Sequence, residues 1–266
     1  MNSSITTLVL PVAGKGVRLL PLTTNTPKAL VPVAGKPLIL YLIEEAALSG
    51  MKDVVLIMSP DMRPRFEEFL KEIQPQFPEL IFHIYEQNDP WGHGHALLTA
   101  YDFLKGKPFI IRFMDDLIFG KEPVSLSLSK LFDEYKKPIM LLEPVSSERA
   151  SSYGIVRLGE SISSTVHKIV EFIEKPKDPP SNLSVPGGYV FTPEVLEHLK
   201  EAGAEAPQVP DGLLIFEGIH PELRKGGEVL GWQFPGKRFD CGNLEGLAAA
   251  EEFLKQEQVV SKIAQA

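Results

Sequence analysis

The chain has 266 residues, 44% of them hydrophobic and 23% charged. That is ordinary globular composition, and it excludes a mostly disordered chain. Net charge is −8, from 27 basic and 35 acidic side chains, the opposite of the balance expected of a general nucleic-acid binder.

A phosphorylated small molecule remains a natural ligand if positive groups gather at one place. The lone cysteine, Cys241, excludes an internal disulfide and points to the cytoplasm. Residues 1–7 are polar and uncharged, so no signal peptide is expected. No run reaches the roughly 18 to 20 apolar residues of a membrane span.

In chain order, residues 5–12 read as a buried strand. Pro37 suits the first turn of a helix. Leu38, Tyr41, Leu42 and Ala46 then share a helical face, and Gly50 ends the helix. A strand at 54–58 and a helix at 62–73 follow. Next come a strand at 80–85, a helix at 95–104 and a strand at 108–114 that runs into Asp115 and Asp116. A helix at 126–135 and a strand at 138–144 close the first half. This alternation predicts an α/β fold with a doubly wound, mostly parallel central sheet. In the second half, 153–158, 166–172 and 185–191 read as strands, antiparallel by expectation, of a small accessory β lobe. Residues 193–200 and 244–258 read as helices, and 213–224 is ambiguous.

Sheets of this kind bind ligands at the carboxyl ends of their strands. Here those ends carry Ala13-Gly14, Glu86-Gln87 and Asp115-Asp116. Gly14 and Gly16 permit close backbone approach, so the first loop reads either as an anion-binding nest or as a plain βα turn. Arg18 and Lys28 add positive charge beside it. The loop is not a Walker A motif, since no Gly-Lys-Ser/Thr follows at the right spacing. Leu19 stands where a dinucleotide fingerprint needs its third glycine, which counts against a nicotinamide oxidoreductase.

The longer string is more specific. Gly14-x-Gly16-x-Arg18 is followed by Pro21-Leu-Thr23, then Pro27-Lys28-x-Leu30-x-Pro32-Val33 and Lys36-Pro-Leu-Ile39. This resembles the signature of the sugar-phosphate nucleotidylyltransferases. Within them, Pro11-Val-Ala-Gly14 is similar to the bacterial UTP–glucose-1-phosphate uridylyltransferases (UDP-glucose pyrophosphorylases). Further segments match in order: Gln87 with Gly92-His-Gly-His-Ala96, Met114-Asp-Asp-Leu117, Tyr153-Gly-Ile-Val156, Glu174-Lys-Pro-Lys177, Gly187-Gly-Tyr189 and Phe239-Asp-Cys-Gly-Asn243.

The resemblance implies a Rossmann-like nucleotide-diphospho-sugar transferase fold over 1–266. Residues 1–145 form mainly a nucleotide-binding half and 146–243 mainly a sugar-binding half, with a C-terminal helix at 244–266. It implies transfer of a nucleotidyl group from UTP to glucose 1-phosphate, or the same chemistry with dTTP or another sugar 1-phosphate. It places the nucleotide at Ala13, Gly14, Gly16, Gln87 and Gly92. Gly154, Glu174, Lys175 and Gly187 hold the sugar phosphate, and Arg18, Lys28, Asp115 and Lys175 are the catalytic set. Asp115 and Asp240 hold Mg²⁺, with Asp116 a neighbour that either assists or faces elsewhere. The partners implied are small-molecule substrates and, through C-terminal elements, a second copy or a tetramer, with no nucleic acid or membrane.

The chemistry suits these residue types. A phosphate monoester is already mostly dianionic at neutral pH, with a second pKa near ~6, so no general base is required. The obstacle is like charge: two unit charges ~4 Å apart repel by roughly 4 kcal/mol at an effective dielectric of ~20. Cations and oriented N–H groups must offset that. Gln87 has one donor and one acceptor on its amide edge. It suits N3–H and O4 of uracil or thymine, and flipped it would suit cytosine.

Two departures stand out. Val17 replaces the signature's threonine and removes one hydroxyl from the loop, worth ~1 kcal/mol if it made a net hydrogen bond. At 211–219, Gly212, Leu214 and Phe216 replace Glu, Gln and Thr of the uridylyltransferases, and Glu217 replaces Asp. The change bears on sugar choice and motivates a second reading, a non-catalytic nucleotide-sugar-binding regulator. The resemblance puts His93 and His95 in the base loop, not at a metal. Cys241 has no evident His partner and is not expected to be a nucleophile. Leu247, Phe253 and Leu254 read as core or dimer contacts.

Overall fold

The computed structural model describes residues 3–204, 212–226 and 228–264. The first half runs β1 (Thr7–Pro11), the hairpin strands β2 (Pro32–Val33) and β3 (Lys36–Pro37), α1 (Leu38–Leu48), β4 (Asp53–Met58), α2 (Arg63–Ile73), β5 (Ile81–Glu86), α3 (Gly92–Thr99), α4 (Tyr101–Leu104), β6 (Phe109–Arg112), β7 (Asp116–Gly120), α5 (Val124–Tyr135) and β8 (Ile139–Pro144). The second half adds α6 (Ser147–Ala150), β9 (Gly154–Ser161), β10 (Val166–Glu174), β11 (Leu183–Ser184), β12 (Gly188–Phe191), α7 (Pro193–Gly203), α8 (His220–Arg224), β13 (Val229–Gln233), β14 (Gly236–Asp240) and α9 (Leu244–Ala264).

One ten-stranded sheet runs β11-β9-β10-β13-β8-β12-β6-β1-β4-β5. The block β5, β4, β1, β6 is parallel throughout, and β8 is parallel to β13. Antiparallel β12 joins the two blocks. Antiparallel β9, β10 and β11 finish the other edge. This is the mixed, mostly parallel α/β sheet expected. The accessory β structure is that edge together with a separate antiparallel ribbon of β7 and β14.

The strand sequences explain why helices cover both faces. Leu8, Leu10, Val54, Leu56 and Met58 alternate with Val9, Val55 and Ile57, and strand side chains alternate faces. The first set packs with Leu42 of α1, Phe66 of α2 and Leu128 of α5. The second packs with Leu97 of α3, Leu104 of α4 and Leu196 of α7. Each such side chain, fully buried, contributes ~1.5–3 kcal/mol of transfer free energy. Leu247 and Ala250 of α9 close a third core on Phe239, Leu117 and Val33, with Phe253 and Leu254 packed against it.

Several elements differ from the sequence reading. Pro37 precedes the helix rather than starting it, because its extended ψ of 139° pairs it with Pro32 in the hairpin. The expected helix at 95–104 begins at Gly92 and breaks at Ala100, whose ψ of 13° is not helical. Strands β2, β3, β7, β11, β13 and β14 are not expected from the sequence. Of the ambiguous 213–224, Ile215–Glu217 forms a 3-10 turn and His220–Arg224 the short α8. Pro210 and Asp211, at the start of the divergent segment, lie outside the described residues.

Candidate active site

The parallel block puts the carboxyl ends of β1, β4, β5 and β6 on one edge of the sheet. Their loops line a cavity of about 480 Å³. Ala13 to Gly16 come from β1, Ser59 to Asp61 from β4, Gln87 from β5, and Phe113 to Asp115 from β6. Gly16 has φ +65°, and a Cβ there would stand 2.9 Å from Thr23 Cγ2 and 3.0 Å from Lys28 Cβ. The Thr23 hydroxyl donates to Gly16 O at 2.8 Å and fixes the turn. Gly14 faces open space, with nothing within 4 Å of its Cβ position.

Charge gathers at one end. Lys28, buried in the 3-10 turn Lys28–Leu30, forms an ion pair with Asp115. The β7–β14 ribbon sets Asp240 opposite Asp116, and Cys241 N donates to Asp115 O at 2.7 Å. Beside Gly242, one point lies 2.8 Å from Arg18 Nη2, 2.8 Å from Asp240 Oδ1 and 2.9 Å from Asp115 Oδ2. A side chain at 242 would fill the meeting place of these three groups. Arg18 has no ion pair among the described residues. Burial, then the Asp115 and Asp116 charges, push the Cys241 thiol up to about 12, so it stays protonated and inert.

The donor set fits a hard cation of the magnesium kind, which takes one or two carboxylates and completes its shell with phosphates and waters. Among the described residues, no group of three or more His, Cys, Asp or Glu side chains stands where it could hold an ion by itself. Asp115 and Asp240 therefore suit an ion that arrives with a phosphate. Asp116 does not join them. Its Oδ2 accepts from Gly187 N at 2.7 Å and its Oδ1 from Arg238 Nε at 2.5 Å. Arg238 also donates to Glu143 at 2.8 Å.

The next loop closes the cavity's far wall. Gly92 has φ +87°, and a Cβ there would lie 2.3 Å from Leu213 O. Gly94 N donates to Leu213 O and Leu213 N to Trp91 O, both at 2.8 Å. Gln87 is buried, and its Nε2 donates to Gly92 O at 3.0 Å with His95 Nδ1 at 3.2 Å. A carbonyl can only accept, so this contact fixes the amide's orientation and leaves Oε1 without a hydrogen bond among the described residues. Ile215 N donates to His93 Nδ1 at 3.0 Å. Burial, then the Lys175 charge, lower the His93 pKa to about 4.

The residues expected to hold the sugar phosphate do not line this cavity. Glu174 ends β10 opposite Gly154, and a Cβ on Gly154 would lie 2.9 Å from Glu174 Oε2. Lys175 follows with φ +44°, rare for a side-chain-bearing residue and common at functional sites. Its Nζ lies 3.5 Å from Glu174 Oε1 and it is two-thirds exposed. Gly187 packs on Phe113, where a Cβ would be 2.4 Å from the ring. Its N–H is held by Asp116 and its carbonyl accepts from Phe113 N at 2.9 Å. Gly187 thus lets Phe113 and Asp116 approach the backbone closely, with no free backbone donor. The apolar residues of the divergent segment, Leu213, Ile215, Phe216 and Ile219, are buried. Phe216 stacks on Phe172 at 4.8 Å, so this stretch is core rather than a binding face.

The sequence matches the nucleotidyl transferase family over residues 7–257. The chain belongs to that family. It is 31% identical to the UTP–glucose-1-phosphate uridylyltransferase of Pseudomonas aeruginosa, over 91% of this chain and 93% of that one. The Bacillus subtilis enzyme of the same name is 31% identical over 94% and 91%. A crystal structure of UDP-glucose pyrophosphorylase complexed with UDP-glucose superposes with a TM-score of 0.86 at 31% identity, over 95% of this chain and 99% of that one. Nucleotidyl transferases generally use a divalent metal. Among the described residues, no helix is long and apolar enough to cross a membrane.

In this nucleotidyl transferase, Ala13, Gly14, Gly16, Lys28, Gln87, Gly92 and Asp115 all line one cavity. Arg18 and Asp240 meet Asp115 beside Gly242, Glu174 and Lys175 stand together beside Gly154, and Gly187 packs on Phe113; these last four do not line the cavity. Sequence reasoning did not single out Lys15, Asp61 and Phe113, which also line it. It also missed Arg238, which holds Asp116 in place. Lys15 sits within the glycine loop and could have been found by its position. Arg238 has no local signal.

Proposed function

We propose that this chain joins UTP and glucose 1-phosphate to give UDP-glucose and pyrophosphate. The observation that carries the reading is the convergence of Lys28, Arg18, Asp115 and Asp240 at the carboxyl edge of the parallel block. The full-length likeness to enzymes named for this reaction supports the choice of substrates. The likeness to a complex with UDP-glucose supports it as well.

The reaction forms a bond from a glucose 1-phosphate oxygen to the α-phosphorus of UTP and breaks the α–β bridge. Pyrophosphate leaves in line with the attack. No residue need remove a proton, because the attacking phosphate is already ionised. The glycine loop at Ala13, Gly14 and Gly16 binds the triphosphate, and Arg18 and Lys28 offset its charge and that of the leaving pyrophosphate. Lys175 receives the sugar phosphate and Glu174 binds sugar hydroxyls, with Gly154 and Gly187 allowing Glu174 and Phe113 to pack closely beside them. Asp115 and Asp240 would hold Mg²⁺, which supplies charge neutralisation on the phosphate oxygens.

The base is read through Gln87, with Gly92 fixing its orientation. With Nε2 engaged by Gly92, Oε1 remains to accept from N3–H of uracil and has no partner on N3 of cytosine. Thymine offers the same N3–H, so dTTP is the runner-up nucleotide. The burial of Leu213, Ile215, Phe216 and Ile219 weakens the motive for the non-catalytic reading. The composition and the phosphorylated substrates suit work in the cytoplasm.

The test is pyrophosphate release with Mg²⁺, crossing UTP, dTTP, CTP, GTP and ATP against several sugar 1-phosphates. The reading expects UTP with glucose 1-phosphate to dominate. No release from any pair would refute it, and dominance of another pair would redirect it to that substrate.

A further inference from the structure

His93 stands where the nucleotide cavity meets the sugar-side residues. It lines the cavity beside Phe113, with the two rings edge-on at 5.5 Å. Phe113 in turn packs on Gly187 and donates its N–H to the Gly187 carbonyl. Lys175 is close enough for its charge to act on the imidazole. The Ile215 N–H occupies Nδ1 at 3.0 Å. A ring nitrogen that accepts carries no proton, so the hydrogen of the neutral ring sits on Nε2. Among the described residues, nothing hydrogen-bonds Nε2, and it is not sealed from solvent.

Resting on the nucleotidyl transfer proposed above, we infer that His93 is a specificity residue for the sugar. Its Nε2–H donates to a hydroxyl oxygen of the sugar 1-phosphate. The surroundings favour a hydroxyl over a phosphate oxygen. Lys175 already supplies a full positive charge for the phosphate, whereas His93 offers a neutral donor on an aromatic wall. The Ile215 N–H makes the arrangement directional. While it holds Nδ1, the neutral ring cannot present an acceptor to the cavity. A site built around such a donor discriminates against analogues lacking the matching oxygen.

Two substitutions separate the roles of the ring atoms. His93→Asn keeps an acceptor for Ile215 N–H and removes the donor at Nε2. His93→Gln carries an amide N–H out to the Nε2 position. Initial rates would be measured on the full chain with Mg²⁺ and UTP, varying glucose 1-phosphate and each of its monodeoxy analogues. The expected result for His93→Asn is a KM for glucose 1-phosphate raised about tenfold, with the KM for UTP unchanged. His93→Gln brings that KM back to within about threefold of wild type. One monodeoxy analogue, penalised about tenfold by the wild type, is no longer penalised by His93→Asn.

An unchanged sugar-phosphate KM in His93→Asn, beside active wild type, would overturn the inference and leave the proposed reaction standing. So would a shift in the UTP KM alone. If His93→Asn does not fold, the wild-type deoxy series still decides: equal use of every analogue overturns the inference. Absence of wild-type turnover would overturn the reaction and this inference with it.

Discussion

Asp115 and Asp116 are adjacent in the chain and give their carboxylates to different partners. Asp115 pairs with Lys28 and meets Asp240 beside Gly242. Asp116 is buried and ties Gly187 N to Arg238. Burial pushes its carboxyl up, while Arg238 pulls the other way. The two substitutions should therefore fail differently. Asp115→Asn keeps an oxygen that can accept from Lys28, so it should lower kcat about 10²- to 10³-fold at a smaller cost in stability than the loss of Asp116. Asp116→Ala leaves Arg238 without its nearest partner and should cost about 3 kcal/mol of stability, read by chemical denaturation. Equal loss of stability in both would remove the distinction.

Lys175 should act on one substrate. Losing a charged hydrogen bond costs ~1.5–3 kcal/mol, so Lys175→Ala should raise the KM for glucose 1-phosphate roughly 10- to 100-fold. The KM for UTP should stay within twofold, because Lys175 lies outside the nucleotide cavity. Steady-state kinetics with each substrate varied in turn checks this.

The parallel half of the fold was legible because its strands are apolar β-branched runs between amphipathic helices. Val54 to Met58 and Phe109 to Arg112 are buried on both faces and announce themselves. The β7–β14 ribbon is different. Gly236-Lys-Arg-Phe-Asp240 has no apolar run, and its pairing with Asp116–Gly120 is long-range. The approach of Asp240 to Asp115 therefore came only from resemblance. The same holds for 213–219: its apolar residues were visible, but their packing against Phe172 and the Gly92 loop depends on tertiary contacts.

Two glycines that line the cavity should respond differently to one added methyl. Gly92→Ala puts a Cβ 2.3 Å from Leu213 O at φ +87°. It should destabilise the fold by about 1–3 kcal/mol and weaken UTP binding. Gly14→Ala meets nothing within 4 Å and should change stability by less than about 0.5 kcal/mol. Denaturant titration of both variants checks the contrast, and calorimetry with UTP measures the binding.

His93 gives stability a defined pH dependence. Burial holds its folded pKa near 4, below its ordinary value of 6.5. Between those values the unfolded chain binds more protons than the folded one, so stability falls as pH falls. The penalty is absent above pH 6.5 and grows toward pH 4, reaching of order 3 kcal/mol. Denaturation across that range should show a slope that His93→Gln reduces. Parallel curves for the two proteins would place the titration elsewhere.

In the proposed reaction the sugar phosphate attacks the α-phosphorus of UTP. The most direct measurement supplies UTP and glucose 1-phosphate labelled with ¹⁸O in its phosphate, with Mg²⁺, and weighs both products. All of the label should enter UDP-glucose and none should enter pyrophosphate. Label in pyrophosphate, or no UDP-glucose at all, would contradict it.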